Sequence, residues 1–351
     1  MKTDATALID KLARHHALDT CEYEALLLSR NEHTAALLRE KADAARKEVY
    51  QNRVFVRALI EISNICKNDC FYCGVRAGNS KVCGYRLTED EIFSCAEAAH
   101  EAGFRTFVLQ GGEDAHFTDE RLTPLIARLK SAFPDSAVTL SLGERSRESY
   151  AALKAAGADR YLLRHETANR EHYSLLHPTN MTLDTRLKAL ADLKDLGFQV
   201  GAGFMVGSPH QSLRHLAEDL KFIETFRPAM CGIGPFLPHS DTPFGNEKAG
   251  ESELCLYLLS ILRLIDPALL LPATTALATA SEDGRCRGIL AGANVVMPNF
   301  SPEAARRHYT LYDGKKNRGA EGGEGLSELA SELEKIGFTL DFSRGDYAEK
   351  G

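Results

Sequence analysis

The pattern of apolar and polar positions along the chain changes near residue 50. Residues 4–48 repeat apolar residues at helical spacing among Ala, Glu, Lys and Arg and contain no proline, which is typical of helices. Beyond them, short apolar runs with the length of buried strands alternate with amphipathic stretches of helical periodicity. The eight apolar runs lie at residues 54–63, 105–110, 137–142, 160–166, 199–206, 230–236, 269–275 and 294–299.

The stretches between these runs carry helix-boundary signals. Thr88 and Glu91 have the spacing of a capping box, and helical stretches end at Gly103, Gly157 and Gly197, just before the next run. Strands that alternate with helices predict a parallel sheet. Eight such strands close a (β/α)8 barrel, in which the chemistry lies at the carboxyl ends of the strands. A doubly wound open sheet stays an alternative, because the last two runs are weakly marked.

These patterns divide the chain into three parts. Residues 1–50 are predicted to form N-terminal helices, and residues 51–313 an α/β barrel of the TIM type. Residues 314–351 are predicted to form a loop and a C-terminal helix that packs on the barrel. The segment GKKNRGAEGGEG (314–325) is rich in glycine and charge, which favours a flexible loop. The helix after it is predicted near residues 326–336.

Charge and hydropathy exclude several classes of protein. The 351 residues carry a formal net charge of -7 with both signs interspersed, so no basic stripe indicates nucleic-acid binding. Asp4 and Asp10 lie where a signal peptide needs an unbroken apolar run. The most apolar later stretch, residues 254–265, is too short to span a bilayer. We therefore expect a cytoplasmic protein that binds neither nucleic acid nor a membrane.

Three of the nine cysteines, Cys66, Cys70 and Cys73, follow the first predicted strand directly. An odd number of cysteines in a chain of this length argues against a disulfide framework. A structural zinc site needs four ligands, and a 4Fe–4S cluster normally takes four cysteines. Three cysteines would leave one iron without a protein ligand, open to an exchangeable group. The alternative is a zinc site completed by Cys83 or by a nearby histidine.

The CxxxCxxC spacing, with Tyr72 before the last cysteine, resembles the radical SAM superfamily. The resemblance implies that S-adenosylmethionine (SAM) chelates the open iron and that its reductive cleavage produces a 5′-deoxyadenosyl radical. The segment LQGGED (109–114) resembles the superfamily's GGE element, which implies that the backbone of Gly111 and Gly112 binds the methionine amino group. Taken alone, the two glycines indicate only a tight turn.

Four longer segments closely resemble the HydE family of FeFe-hydrogenase maturases: YLLRHETAN (161–169), GIGPFLPHSDTP (232–243), LPATTA (271–276) and GANVVMPN (292–299). The resemblance implies a function in assembling the two-iron subcluster of the hydrogenase H-cluster. It implies a substrate iron complex bearing CO, cyanide and cysteine, with the maturases HydG and HydF and an electron donor such as a ferredoxin as partners. Two alternatives remain: a relative such as biotin synthase or methylornithine synthase, and a non-catalytic iron–sulfur carrier.

The resemblance also assigns cofactor-binding roles. Glu166 is expected to hold the SAM ribose, Arg164 to face the cofactor or substrate, and Arg186 to bind the SAM carboxylate, for which a guanidinium fork is well suited. Further positions expected near SAM are Tyr72, Gln110, Ser141 and Met205. Without the resemblance, Arg164 and Glu166 indicate a structural ion pair, and Arg186 a solvated helix charge.

The expected substrate pocket consists of Arg160, Thr274, Thr275, Met297 and Tyr309. Adjacent threonines are by default good strand formers, and strand alternation is expected to turn only one of the two hydroxyls inward. Arg160 would supply positive charge for an anionic ligand. Many members of the family have three further cysteines near the C-terminus that hold an accessory cluster. No cysteine follows Cys286 here, so we expect a single cluster.

Overall fold

The computed structural model describes residues 4–315 and 322–348. The chain begins with three helices: α1 (Ala5–His15), α2 (Thr20–Leu28) and α3 (Glu32–Tyr50). The side chain of Asp4 caps α1 and that of Asn31 caps α3, because each accepts a backbone N–H that the first turn leaves unpaired. The buried faces of these helices include Leu12, Leu26 and Leu38 and join the main core.

The first apolar run forms one extended segment that is interrupted at Arg57, giving β1 (Arg53–Val56) and β2 (Ala58–Ser63). The following runs contain β3 (Thr106–Gly111), β4 (Ala137–Ser141), β5 (Arg160–Leu162), β6 (Gln199–Ala202), β7 (Met205–Val206), β8 (Met230–Cys231), β9 (Gly234–Pro235) and β10 (Val295–Val296). A parallel sheet joins six of them in the order β2-β3-β4-β5-β6-β8.

Single backbone bridges close this sheet into a barrel. Met230 of β8 pairs with Leu270, Pro272 pairs with Val295 of β10, and Asn299 pairs with Leu59 of β2. The predicted (β/α)8 barrel is therefore confirmed, and the open-sheet alternative is wrong. The seventh run makes only isolated bridges, and its last residue, Thr275, begins a helix instead of ending a strand.

The helices after β2 are α4 (Glu89–Glu101), α5 (Asp119–Ala132), α6 (Arg147–Ala155), α7 (Arg170–Leu176), α8 (Leu183–Asp195), α9 (Leu213–Phe226), α10 (Ser252–Ile265), α11 (Thr275–Ala280), α12 (Gly284–Leu290), α13 (Glu303–Arg306) and α14 (Gly322–Lys335). The capping box at Thr88 and Glu91 is present. Gly103, Gly157 and Gly197 all have positive φ, so each ends its helix in the left-handed conformation that glycine adopts without strain.

The C-terminal segment covers the amino end of the barrel. Strand β11 (Thr339–Asp341) pairs in parallel with β1, starting at Arg53. Helix α14 begins at Gly322, inside the stretch predicted as a loop, and residues 316–321 of that predicted loop lie outside the described residues. Within the described ranges, no helix has both the length and the apolar character required to cross a bilayer.

Candidate active site

The three clustered cysteines lie on the loop after β2, at the carboxyl end of the barrel strands. All three are partly buried. The backbone N–H of Glu113 donates to Cys66 Sγ over 3.3 Å, and the N–H of Lys67 donates to the carbonyl of Glu113 over 2.9 Å. Gly112 has no room for a side chain against this loop. The predicted GGE element and the cysteine loop are therefore in direct contact.

Burial favours the protonated form of the three thiols. It raises the pKa of Cys66, Cys70 and Cys73, to about 12 for Cys73, and the charges of Cys73 and Cys66 further raise that of Cys70. Binding of a cluster would release these protons, because cysteines bind iron as thiolates. In the described part of the chain, no three His, Cys, Asp or Glu side chains converge on a point where one metal ion would bind. Cluster ligands need not converge, since each binds a different iron.

Glu166 follows β5 and pairs in a backbone bridge with Phe204. Its φ is 66°, a left-handed value that is uncommon outside glycine. Arg164 Nη2 lies 3.0 Å from Glu166 Oε2. Arg186, from α8, donates to the Glu144 carboxylate and to the carbonyl of Arg164. Arg186 is only 6% exposed, so it is not a solvated helix charge, and the structure brings all three predicted residues together.

Tyr72 connects these residues to the cysteine loop. Its hydroxyl lies 3.1 Å from His177 Nε2. Burial raises the pKa of Tyr72, and Cys70 and Glu166 raise it further while Arg186 lowers it, so the phenol lies within the field of all three. Met205 belongs to a small apolar cluster that packs against Phe71 and Tyr72. Tyr72 and Met205 therefore lie between the cysteine loop and the residues around Glu166.

Gln110 and Ser141 are register partners at the ends of β3 and β4. The side-chain amide of Gln110 donates to the hydroxyl of Tyr309 over 3.4 Å. This contact joins a predicted SAM residue to a predicted substrate residue. The two predicted sites are therefore neighbours.

Two charged residues missing from the sequence-based site lie beside Tyr309. Lys315 Nζ donates to Glu61 Oε1 over 2.6 Å and to the Tyr309 carbonyl over 2.8 Å, and it lies 4.5 Å from the centre of the Tyr309 ring. Glu61 also accepts a hydrogen bond from Asn299. A cavity beside this pair is lined by Thr275 and Met297 among others. The sequence offers one sign of this pair, because Glu61 is an acidic residue within an apolar strand. Lys315 lies in the stretch predicted as a loop, where a lysine is not unusual.

The two adjacent threonines have different surroundings. Thr274 Oγ1 is buried without a hydrogen-bond partner and packs against Gly234 of β9. Thr275 starts α11 and is exposed toward the cavity. Thr274 is the N-cap residue of α11, so strand alternation does not apply to this pair, although Thr274 has the buried hydroxyl without a hydrogen-bond partner.

The structure separates Arg160 from this pocket, so its assignment as a substrate residue is wrong. Arg160 is the first residue of β5 and donates to Thr106, the first residue of β3, over 3.1 Å. Its guanidinium also lies 2.6 Å from Asp346 Oδ1 and 2.7 Å from the Arg344 carbonyl. All of these partners lie at the amino end of the barrel, which the C-terminal segment covers. The fully buried side chain cannot reach the carboxyl end, where Tyr309 lies.

Comparisons with known proteins agree with this fold. A family model described as "Radical SAM superfamily" matches residues 60–223. An [FeFe] hydrogenase maturase subunit HydE from Thermotoga maritima is 42% identical over 308 residues, which cover 88% of this chain and 87% of the relative. A 3-methylornithine synthase from Methanosarcina acetivorans is 28% identical and covers 87% of this chain and 86% of the relative. A solved structure of methylornithine synthase (PylB) has a TM-score of 0.81 at 26% identity and covers 95% of this chain and 97% of its own.

A closed barrel with a three-cysteine loop after its first strand, matched by this family model, defines a radical SAM enzyme. The chain belongs, more narrowly, to the HydE family of [FeFe] hydrogenase maturases, to which it is related over most of its length. A 4Fe–4S cluster and SAM are the cofactors that the superfamily implies, and the cysteine loop described above fits such a cluster. The higher identity to HydE than to the 3-methylornithine synthase argues against the alternative within the superfamily.

Proposed function

We propose that this enzyme takes part in assembling the two-iron subcluster of the [FeFe]-hydrogenase H-cluster. The proposed substrate is a small anionic iron complex that bears CO, cyanide and cysteine. HydG delivers the complex, HydF receives the product, and a donor such as a ferredoxin reduces the cluster. The relationship to HydE supports this proposal, together with the polar and charged groups around the barrel mouth.

In this proposal, Cys66, Cys70 and Cys73 hold the 4Fe–4S cluster, and the backbone of Gly111 and Gly112 binds the methionine amino group of SAM. Glu166 accepts hydrogen bonds from the ribose, and Arg186 binds the SAM carboxylate. Side chains that enclose the cofactor are Tyr72, Gln110, Ser141 and Met205. When bound, the cluster and SAM supply a 5′-deoxyadenosyl radical, which side chains cannot generate themselves.

The residues of the chain also define the substrate side. We assign Thr275 and Met297, which line the cavity beside Glu61 and Lys315, to the substrate side, together with Thr274 and Tyr309. Arg164 takes the role first assigned to Arg160, because it stands at the carboxyl end and its Nε is buried without a hydrogen-bond partner. A buried, unpaired donor favours an anion, since an apolar ligand would leave it unsatisfied at a cost of about 1–3 kcal/mol.

The observation that carries the proposal is the hydrogen bond between Gln110 and Tyr309. It puts the residues assigned to SAM next to those assigned to the substrate. A substrate held by the second group of residues would then lie next to the SAM site.

Cell-free maturation of an apo-hydrogenase tests the function. The reaction contains HydG, HydF, SAM and a reductant, and hydrogen evolution is measured with and without this protein. We expect activity only when the protein is present, and none with Cys70→Ala. Equal activity without the protein would refute the proposal, as would conversion of dethiobiotin or lysine in the presence of SAM.

A further inference from the structure

A network behind β5 holds Glu166 in its left-handed backbone conformation. A φ of 66° is unfavourable for a residue with a side chain, and such a conformation persists only where the surrounding contacts over-determine it. The contacts in question come from Gly203 and Met205, next to β6 and β7. These contacts hold the backbone of residue 166 and so set the position from which the Glu166 side chain extends.

Gly203 is the link between His165 and Glu166. Its N–H donates to His165 Nδ1 over 3.3 Å, and its carbonyl accepts the N–H of Glu166 over 3.0 Å. The carbonyl of Glu166 in turn accepts the N–H of Met205 over 3.2 Å. A Cβ atom at Gly203 would lie 2.0 Å from the carbonyl oxygen of Gly232, so only glycine allows this close approach. The imidazole of His165 thus holds the peptide that holds Glu166.

Asp219, on α9, holds the other side of the imidazole. Its Oδ1 lies 3.3 Å from His165 Nε2 and accepts the N–H of Ala168 over 2.5 Å. Both side chains are fully buried, and the His165 ring packs against Phe204 and Phe222. Because Nδ1 accepts a hydrogen bond, Nε2 carries the ring hydrogen; its 3.3 Å approach to Asp219 is a close contact and not a hydrogen bond.

Burial favours the uncharged forms of both side chains. It lowers the pKa of His165 to about 3, with Arg164 and Arg186 adding to the effect. It also raises the pKa of Asp219 well above its usual range. A neutral pair can be mimicked by uncharged side chains, which makes the contact testable by isosteric substitution.

We propose that His165 and Asp219 are positioning residues that fix Glu166 for the ribose of SAM. The proposal rests on the ribose-binding role proposed for Glu166 and extends it to two residues that do not touch the ligand. Loss of either contact would free the Gly203 peptide and let Glu166 relax out of its left-handed conformation. The carboxylate would then miss the ribose hydroxyls, while the rest of the SAM site stayed in place.

The test compares SAM with its 2′,3′-dideoxy analogue, which lacks both ribose hydroxyls. Calorimetric titration of cluster-loaded protein under anaerobic, non-reducing conditions gives the ratio of the two affinities. In the wild type we expect a ratio of about tenfold or more, as charged hydrogen bonds of this kind provide. Asp219→Leu and His165→Phe should bring the ratio close to unity. Phe suits the aromatic surroundings of position 165, so this variant covers the case in which Asp219→Leu does not fold.

Asp219→Asn is the matched control, because Asn keeps the size and shape of the side chain and its Oδ1 can still accept the Ala168 N–H. It should keep the wild-type ratio. A merely structural role would weaken both ligands alike and leave the ratio unchanged, which would overturn the proposal. Glu166→Ala separates the two ideas. If the affinity ratio falls to unity in Glu166→Ala but stays at the wild-type value in Asp219→Leu and His165→Phe, the positioning proposal is wrong and the ribose role stands. If Glu166→Ala keeps the ratio, the ribose role itself is wrong.

Discussion

A Cβ atom at Gly112 would lie 2.8 Å from the Cβ atom of Cys66 and 2.3 Å from the carbonyl oxygen of Ile65. No side chain tolerates both contacts, since one involves backbone. The loop after β3 and the cysteine loop therefore fit together only when residue 112 is glycine. This fit gives the second glycine of the GGE element a structural reason beside its proposed part in binding SAM.

Gly112→Ala should displace the cysteine loop and lower the amount of iron that anaerobic reconstitution incorporates. Overpacking of this kind costs about 1–3 kcal/mol, and the loop is the element free to move. Gly232→Ala is the control, because the nearest atom to its added Cβ would be 3.8 Å away. Iron and sulfide analysis of both variants gives the answer. Normal loading of Gly112→Ala would show that the loops adapt.

Arg186→Ala should weaken SAM binding by about tenfold or more, as expected for loss of a charged partner worth roughly 1.5–3 kcal/mol. Arg186→Lys should recover part of the loss, because an ammonium keeps the charge but not the fork. Lys188→Ala, an exposed change on the same helix, should have no effect. Calorimetry on cluster-loaded protein measures all three. If Arg186→Ala binds SAM with wild-type affinity, Arg186 does not belong to the cofactor site.

Asp346→Ala should destabilise the fold without changing SAM affinity. It leaves Arg160, which is fully buried, without its carboxylate; because the Asp346 side chain is 39% exposed, solvent screening makes the loss smaller than the roughly 3–5 kcal/mol of a fully buried pair. Arg160→Met combined with Asp346→Ala should be more stable than Asp346→Ala alone, because the uncompensated charge is gone. Urea unfolding and SAM titration check both expectations. A loss of SAM binding in the double variant would return Arg160 to the active site.

Lys315→Met should strongly reduce hydrogenase maturation while leaving cluster loading and SAM affinity near normal. The change removes the cation that pairs with Glu61 and donates to the Tyr309 carbonyl. Without these contacts, Glu61 and Tyr309 are no longer held in place on the substrate side of the barrel mouth. Lys335→Met, an exposed change at the end of α14, is the control. The cell-free maturation assay reads both variants. Full activity of Lys315→Met would remove the residue from the substrate side.

Local patterns predicted the barrel and the cysteine loop well. Cys66, Cys70 and Cys73 all lie in one loop, and strands alternate with helices along the whole barrel. Both features can be predicted from neighbouring residues, without knowledge of long-range contacts. The glycines that end the helices are equally local, since their left-handed conformation depends on the residue itself.

The sequence alone did not predict how far along the barrel axis each residue lies. Arg160 and Arg164 lie four positions apart in the sequence, so the two-residue period of a strand gives both the same face. Only the point at which β5 begins distinguishes them, and that point is set by pairing with neighbouring strands. The partner of Glu61, Lys315, lies 254 positions later in the chain. Contacts of that range depend on the closed fold, which periodicity does not specify.

The most direct measurement of the central claim is EPR spectroscopy of the anaerobically reconstituted, reduced protein with and without SAM, combined with iron analysis. If the three cysteines hold one 4Fe–4S cluster and there is no accessory cluster, iron analysis should give about four irons per chain. The account predicts a reduced-cluster signal that changes when SAM binds the open iron, and no such signal in Cys66→Ala, Cys70→Ala or Cys73→Ala. A signal that SAM leaves unaltered, or one that persists in Cys70→Ala, would contradict the account.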